Sequence, residues 1–271
     1  MFKINNLTYQ YDKTRKALDN VSMDFNKGDI IGIIGSNGSG KSTLFNNLMG
    51  ILKSTQLEIL YNGEQIKYDK KSLYNLRKEV GIVFQDPEKQ IFYSMVYDDI
   101  AFALRNIGMD EKTIKDRIHT ALEAVNGLQF IDRPVHNLSF GQKKRVAIAS
   151  VVAMENKLVL LDEPTAGLDP ISTRAIVDII KGLNKRGVKI VISSHDMNLI
   201  YEICDYVYVL NQGVLINEGT RAEVFVNEEK INEAGLELPW LVKLHKNMGL
   251  PLFPKEEDLY SFWNKQAQKT V

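Results

Sequence analysis

Three short segments carry residues whose types and spacing suit phosphate chemistry. Gly35-Ser36-Asn37-Gly38-Ser39-Gly40-Lys41-Ser42 fits the pattern G-x-x-x-x-G-K-[ST] of a phosphate-binding P-loop. Its glycines let successive backbone N–H groups curl around phosphate oxygens that side chains would otherwise block. Lys41 can reach the β- and γ-phosphates, and the Ser42 hydroxyl can complete a Mg²⁺ shell. In Leu158-Val159-Leu160-Leu161-Asp162-Glu163 an apolar run ends in two acids. There Asp162 suits the hydration shell of a Mg²⁺ and Glu163 suits a general base acting on water. In Leu138-Ser139-Phe140-Gly141-Gln142 the spacing of Ser139 and Gln142 is that of a capping box. That segment opens a helix with free N–H groups, and Gly141 leaves room for an anion to approach. A second phosphate-ready helix start, separate from the P-loop, makes sense if it serves the nucleotide of another subunit.

The elements around these segments place them. Phe2-Lys3-Ile4 and Val21 to Phe25 alternate apolar and polar, as in a half-buried antiparallel sheet. Ile30 to Ile34 runs apolar without alternation, as in a strand covered on both faces. A helix begins at about Lys41, with Leu44, Phe45, Leu48, Met49 and Leu52 at helical spacing. Asn62-Gly63 signals a type I′ hairpin. From about Gln85 to Val152 the pattern is mainly helical, including an amphipathic stretch from Glu111 to Val125, and reads as a second lobe grown out of the first. Strand patterns resume at Lys157–Leu161, Val188–Ser193 and Tyr206–Leu210, alternating with a helix over Ile171–Leu183, which predicts a mostly parallel sheet. Val214–Asn217 reads as a further strand, and Thr220 with Glu223 as a capping box opening another helix. The tail from about Asn227 reads as short helices docked on the rest.

Composition narrows the class. The 271 residues carry 34 Lys+Arg against 34 Asp+Glu, so no global field exists to hold nucleic acid or an anionic membrane. The single cysteine, Cys204, excludes an internal disulfide and a multi-cysteine zinc site, and reads as a small buried apolar residue. The opening MFKINNLTYQ lacks the apolar core of a signal peptide, and no run reaches the ~18 apolar residues of a membrane span. The expectation is a soluble intracellular protein.

In this order, the P-loop, LSFGQ and LLDEP resemble the ATP-binding cassette family over about residues 1–225. The resemblance implies an α/β fold: a P-loop NTPase (RecA-like) core with a mostly parallel sheet, an N-terminal antiparallel β part and a helical subdomain at about 86–152 carrying the signature. A C-terminal helical tail would occupy 226–271. ATP would lie on Gly35, Ser36, Asn37, Gly38, Ser39, Gly40, Lys41, Ser42 and Thr43, with Tyr11 stacked on the adenine. Gln85 resembles the lobe-linking glutamine that senses Mg²⁺ and the γ-phosphate, joining Ser42 and Asp162 at the metal. His195 resembles the switch histidine at the γ-phosphate, Glu163 the general base, and Asp169 in Gly167-Leu168-Asp169 the loop coupling two sites. Taken alone, Tyr11 also reads as a packing residue, Gln85 as a surface amide and Asp169 as a helix cap. His119, His136 and His245 match nothing. Phe140 stands where the usual signature has glycine, and Ser36 where proline is more common.

The family resemblance further implies that Ser139, Gly141 and Gln142 complete the site of a second ATPase subunit. The stretch Phe84 to Phe92, with Gln85, Asp86-Pro87, Glu88 and Gln90, resembles energy-coupling-factor importers, as does Gly141 to Ala149. Asp86, Glu88 and Gln90 would there meet a transmembrane coupling subunit, a substrate-binding membrane subunit would complete the complex, and this chain would lie peripherally at the cytoplasmic face of the membrane. Asp86 and Glu88 form an acidic rim suited to arginines of that partner. The branch resembled across the whole length, including Leu236-Glu237-Leu238-Pro239, imports cobalt or nickel. Rival readings are a vitamin-uptake ATPase of the same class, a soluble cassette ATPase acting on nucleic acid or ribosomes, and a nucleotide-binding module without turnover.

Overall fold

The structure is a computed structural model that describes residues 1–12, 15–54 and 56–267. Strands β1 (Phe2–Gln10) and β2 (Lys16–Asp24) pair antiparallel, burying Phe2, Ile4 and Leu7 against Leu18, Val21 and Met23. After β3 (Ile30–Ile34) and α1 (Lys41–Leu48), β4 (Gln56–Tyr61) joins the far edge of β1 and turns into β5 (Glu64–Gln65). Asn62 and Gly63 both take positive φ, 52° and 85°, as a type I′ turn requires. The helix expected to run through Leu52 stops at Leu48, and the chain turns at once through Gly50.

The second sheet holds six strands in the order β10-β9-β3-β8-β7-β6: β6 (Val80–Val83), β7 (Leu158–Asp162), β8 (Lys189–Ser194), β9 (Tyr206–Asn211) and β10 (Val214–Thr220) around β3. Only β10 runs antiparallel to its neighbour. Alternate residues of its buried strands feed two separate cores. Ile31, Ile33, Leu158, Leu160 and Val191 face the antiparallel sheet and α1, meeting Phe2, Leu44 and Phe45. Ile34, Val159, Leu161, Ile190 and Ile192 face the opposite side, where most of the helices pack. Apolar residues at successive positions are thus explained by coverage on both faces.

Helix α2 (Lys70–Glu79), capped by Asp69, precedes β6 and buries only Leu76. The lobe between β6 and β7 consists of a 3₁₀ turn at Pro87–Lys89 followed by α3 (Val96–Asn106), α4 (Glu111–Ala124) and α5 (Phe140–Ala153). Helices α6 (Pro170–Lys185), α7 (Met197–Ile203) and α8 (Arg221–Val226) follow, the last opened by the reciprocal capping box of Thr220 and Glu223. The tail forms α9 (Glu228–Glu233), α10 (Trp240–Met248) and α11 (Glu256–Ala267). Leu236, Leu241, Val242, Phe253 and Leu259 of the tail lie in the same core as the helical lobe. Cys204 is buried, and burial holds its thiol pKa well above the ordinary range.

Tyr208 of β9 ties the two sheets together. Its buried hydroxyl accepts from the Asp24 N–H at 2.9 Å and donates to the Asp24 carbonyl at 2.8 Å. Tyr208→Phe leaves both groups without that partner and should cost about 1–3 kcal/mol, read as a lower denaturant midpoint with unchanged slope.

Candidate active site

Strands β3, β8 and β7 are neighbours in parallel register, with Ile34 beside Ser194 and Ser193 beside Asp162. The residues following them, Gly35, His195 and Glu163, therefore emerge side by side at the carboxyl edge of the sheet, where ligands of open α/β sheets bind. Because β8 lies between the other two, His195 sits between the P-loop and the acidic pair.

Two glycines of the P-loop have no room for a side chain. A Cβ on Gly35 would lie 2.3 Å from the Leu210 carbonyl oxygen, and one on Gly40, whose φ is 108°, 2.6 Å from that of Ala17. Gly40 also occupies the N-cap of α1, so the partial positive end of that helix faces the loop. Lys41 is buried. Its Nζ donates to the carbonyls of Gly35 at 2.7 Å and Ser36 at 3.2 Å, and stands 3.6 Å from Glu163 Oε1. Tyr11, Asn37, Gly38, Gly40, Lys41, Ser42, Thr43, Gln85 and Glu163 line one cavity of about 590 Å³. Tyr11 is exposed, anchored by a 3.1 Å hydrogen bond between its hydroxyl and Thr43 Oγ1 and by an edge contact with Tyr9.

Glu163 is the least ordinary residue at the edge. It is buried, and its φ of 46° puts a side-chain-bearing residue in the left-handed region. Its N–H donates to the Ser193 carbonyl and hydroxyl, each at 3.1 Å, while the Ser193 hydroxyl donates to Asp162 Oδ1 at 2.5 Å. Oε2 of Glu163 faces Nδ1 of His195 at 2.8 Å. A carboxylate only accepts, so that ring nitrogen carries the proton and Nε2 is left for another partner. Oε1 of Glu163 and Oγ of Ser39 are buried without a hydrogen-bond partner. Lys144 Nζ donates at 2.8 Å to the carbonyl of Glu163, and burial pushes its pKa down to about 8.

Ser139 and Gln142 form the full reciprocal capping box at the start of α5. The Gln142 N–H donates to Ser139 Oγ at 3.3 Å, and the Ser139 N–H donates to Gln142 Oε1 at 2.9 Å. Ser139, Gly141 and Gln142 do not line the P-loop cavity of their own chain. Asp169 caps α6, accepting from the Ser172 N–H at 2.9 Å and hydroxyl at 2.7 Å, bonds that hold its carboxyl below the usual range.

Asp86, Glu88 and Gln90 each have local partners, although the Glu88 side chain stays 64% exposed. Asp86 caps the 3₁₀ turn, Glu88 pairs with Lys143 at 2.5 Å, and both ends of the Gln90 amide are engaged. Gln90 accepts from the Phe84 N–H and donates to the Ala147 carbonyl. The surface also offers a groove of about 640 Å³ between the lobes, with Tyr74, Phe92, Phe102 and Met154 in its wall. Phe92 is 66% exposed and packs edge-on against Phe102. The Phe92-Tyr93 doublet was the only sequence signal for that groove. Lys144 had none, since it sits in the run Lys143-Lys144-Arg145.

The residues fit a nucleoside triphosphate with Mg²⁺. The cradle and the facing lysine suit phosphates, and the unpartnered Glu163 oxygen suits the proton of a water. Among the described residues no cluster of three or more His, Cys, Asp or Glu can hold a metal unaided. A Mg²⁺ shared with phosphates and water needs no such cluster.

The family described as ABC transporter matches residues 18–166. The cobalt import ATP-binding protein CbiO of Salmonella typhimurium is 45% identical over 98% of this chain and 98% of its own. The energy-coupling factor transporter ATP-binding protein EcfA of Methanocaldococcus jannaschii is 44% identical, covering 88% of this chain and 85% of its own. The solved structure of CbiO1 from Clostridium perfringens, described as part of the ABC transporter complex cbiONQ, superposes with a TM-score of 0.77 at 41% identity. It covers 90% of this chain and 98% of that one.

A Mg²⁺–nucleoside triphosphate at 100 times its dissociation constant should stabilise the chain by about 2.7 kcal/mol. Thermal unfolding will show that shift, and Lys41→Ala should abolish it.

Proposed function

Because this chain belongs to the ABC transporter family and is an ATPase, we propose that it powers an energy-coupling-factor importer of cobalt or nickel ions. Its ATP-driven closure with a second ATPase subunit would do the work. The observation that carries the ATPase mechanism is the meeting of three elements at one sheet edge. There Glu163 Oε1 is buried without a hydrogen-bond partner, 3.6 Å from Lys41 Nζ, while Oε2 faces His195. The ion-importer reading is supported by the identity to cobalt import ATPases, which spans the tail as well as the cassette motifs.

In this reading the backbone of Gly35 to Thr43 binds the phosphates, and Tyr11 packs on the base. Lys41 leaves the carbonyls of Gly35 and Ser36 for the β- and γ-phosphates. Ser42, Gln85 and Asp162 would hold the Mg²⁺, which when bound neutralises charge on the phosphate oxygens. Glu163 orients the attacking water and takes its proton, and His195 Nδ1–H fixes that carboxylate beside the γ-phosphoryl group. Ser139, Gly141 and Gln142 present the N-terminus of α5 to the nucleotide of the partner ATPase, and Asp169 lies beside that junction. A chain alone therefore carries two half-sites. The ATPase unit is assigned to residues 1–225, with its helical subdomain at about 86–152, and the tail to 226–271.

No helix among the described residues is long and apolar enough to cross a membrane. Passage of the ion would fall to a transmembrane coupling subunit and a substrate-binding membrane subunit, with this chain peripheral at the cytoplasmic face. The coupling subunit would seat an apolar helix in the groove at Phe92, beside the turn held by Asp86, Glu88 and Gln90. A buried aromatic there excludes water and serves as the anchor of the contact.

Glu163→Gln keeps the binding residues and removes the base. At saturating Mg²⁺–ATP it should double in mass by light scattering and stay so, whereas the unchanged chain returns to monomer after turnover. A monomeric Gln variant would count against the dimer. Phe92→Asp should lose co-purification of the membrane subunits and cobalt uptake by cells, while its ATP-dependent thermal shift stays intact.

A further inference from the structure

Lys144 is one of the few ionisable side chains placed in the interior: it is 1% exposed, two residues beyond the capping Gln142 on α5. Taking an ammonium group out of water is costly unless its placement gains something. The nearby acids Glu163, Asp162 and Asp86 only partly offset that cost. The hydrogen-bond partner of Lys144, the Glu163 carbonyl, does not depend on it for satisfaction, because that oxygen also accepts from the Ala166 N–H at 3.2 Å. What depends on it is conformation. Glu163 holds a left-handed φ of 46°, which costs roughly 1–2 kcal/mol for a residue with a Cβ. In that turn one carboxylate oxygen lies toward Lys41 and the other toward His195. Phe140, where the usual signature has glycine, lies with its ring 5.6 Å from the Lys144 ammonium.

We infer that Lys144 is the positioning residue of the catalytic carboxylate: by pinning the Glu163 carbonyl from the start of α5 it holds the strained backbone, and Phe140 covers it. The inference rests on Glu163 acting as general base. It gives the signature helix a second task within its own chain, beside the one it performs across the dimer. The neighbouring residue extends the connection, since Lys143 pairs with Glu88 of the 3₁₀ turn at 2.5 Å. Two consecutive side chains of α5 thus tie the catalytic carboxylate and the partner-facing turn to one helical turn.

The test compares Lys144→Met and Lys144→Gln in the full chain, purified with the membrane subunits it retains. Met fills the space without a donor; Gln restores a neutral donor. Lys144→Met should lower kcat by about 10- to 100-fold, with KM and ATP affinity within about twofold of the parent. Its Tm should be equal or higher, because an apolar group replaces a buried charge. Lys144→Gln should recover kcat to within about fivefold of the parent. Combined with Glu163→Gln, Lys144→Met should add no further loss in single-turnover hydrolysis, since both act through one group. The inference is overturned if the Met variant keeps kcat within about twofold, or if its loss multiplies with that of Glu163→Gln. A fall in Tm in step with kcat, unrelieved by Gln, overturns it too. If Met prevents folding, the Gln variant decides: folded and inactive, it refutes the positioning role. Full turnover by Glu163→Gln alone would instead refute the general-base reading, a result separate from the effect of Lys144.

Discussion

A carboxylate kept dry, half-satisfied and turned the wrong way is the constraint on which the site depends. Glu163 spends its N–H on Ser193 and one oxygen on His195, and keeps the other oxygen without a hydrogen bond beside Lys41. Each of these departures from the cheapest arrangement has a price in stability, and strained or unsatisfied groups persist only where the surroundings over-determine them. Here the surroundings are three adjacent strands in strict parallel register, buried on both faces.

The end of the same sheet is joined to the inserted lobe. Glu163 is held at its backbone by α5, a helix whose other residues pack in the core of the inserted lobe. The interior of a protein is close-packed, so a shift of that helix cannot be absorbed silently. If the start of α5 meets a partner, as proposed, its next turn, which holds the Glu163 carbonyl, would make assembly and chemistry parts of one rigid element.

Much of this was legible in the residues because the elements that carry it are locally self-consistent. Ile30 to Ile34 and Leu158 to Leu161 are apolar without alternation, and only a doubly covered strand fits. The boxes of Ser139 with Gln142 and Thr220 with Glu223 formed reciprocally, as their spacing implied. Helix α2 escaped notice because it buries only Leu76 and so lacks an apolar stripe, and β6 because four residues show no period. The local partners of Asp86 and Glu88 were not legible, since one is an N–H two residues on and the other is Lys143 from 55 residues away. Lys144 was hidden by its neighbours: in a run of basic residues nothing marks the one whose helical angle points inward.

The tail closes on the helix that follows His195. The Trp240 N–H donates to Asn198 Oδ1 at 2.9 Å, and Tyr201 donates to the Phe253 carbonyl at 3.1 Å. Leu199, Ile200 and Tyr201 share their core with residues made 35 or more positions later in the chain. During synthesis, then, the P-loop strand and its histidine neighbour emerge well before the segment that shields their flank. The nascent polypeptide must keep an oily seam from sticking to others until its final helices arrive.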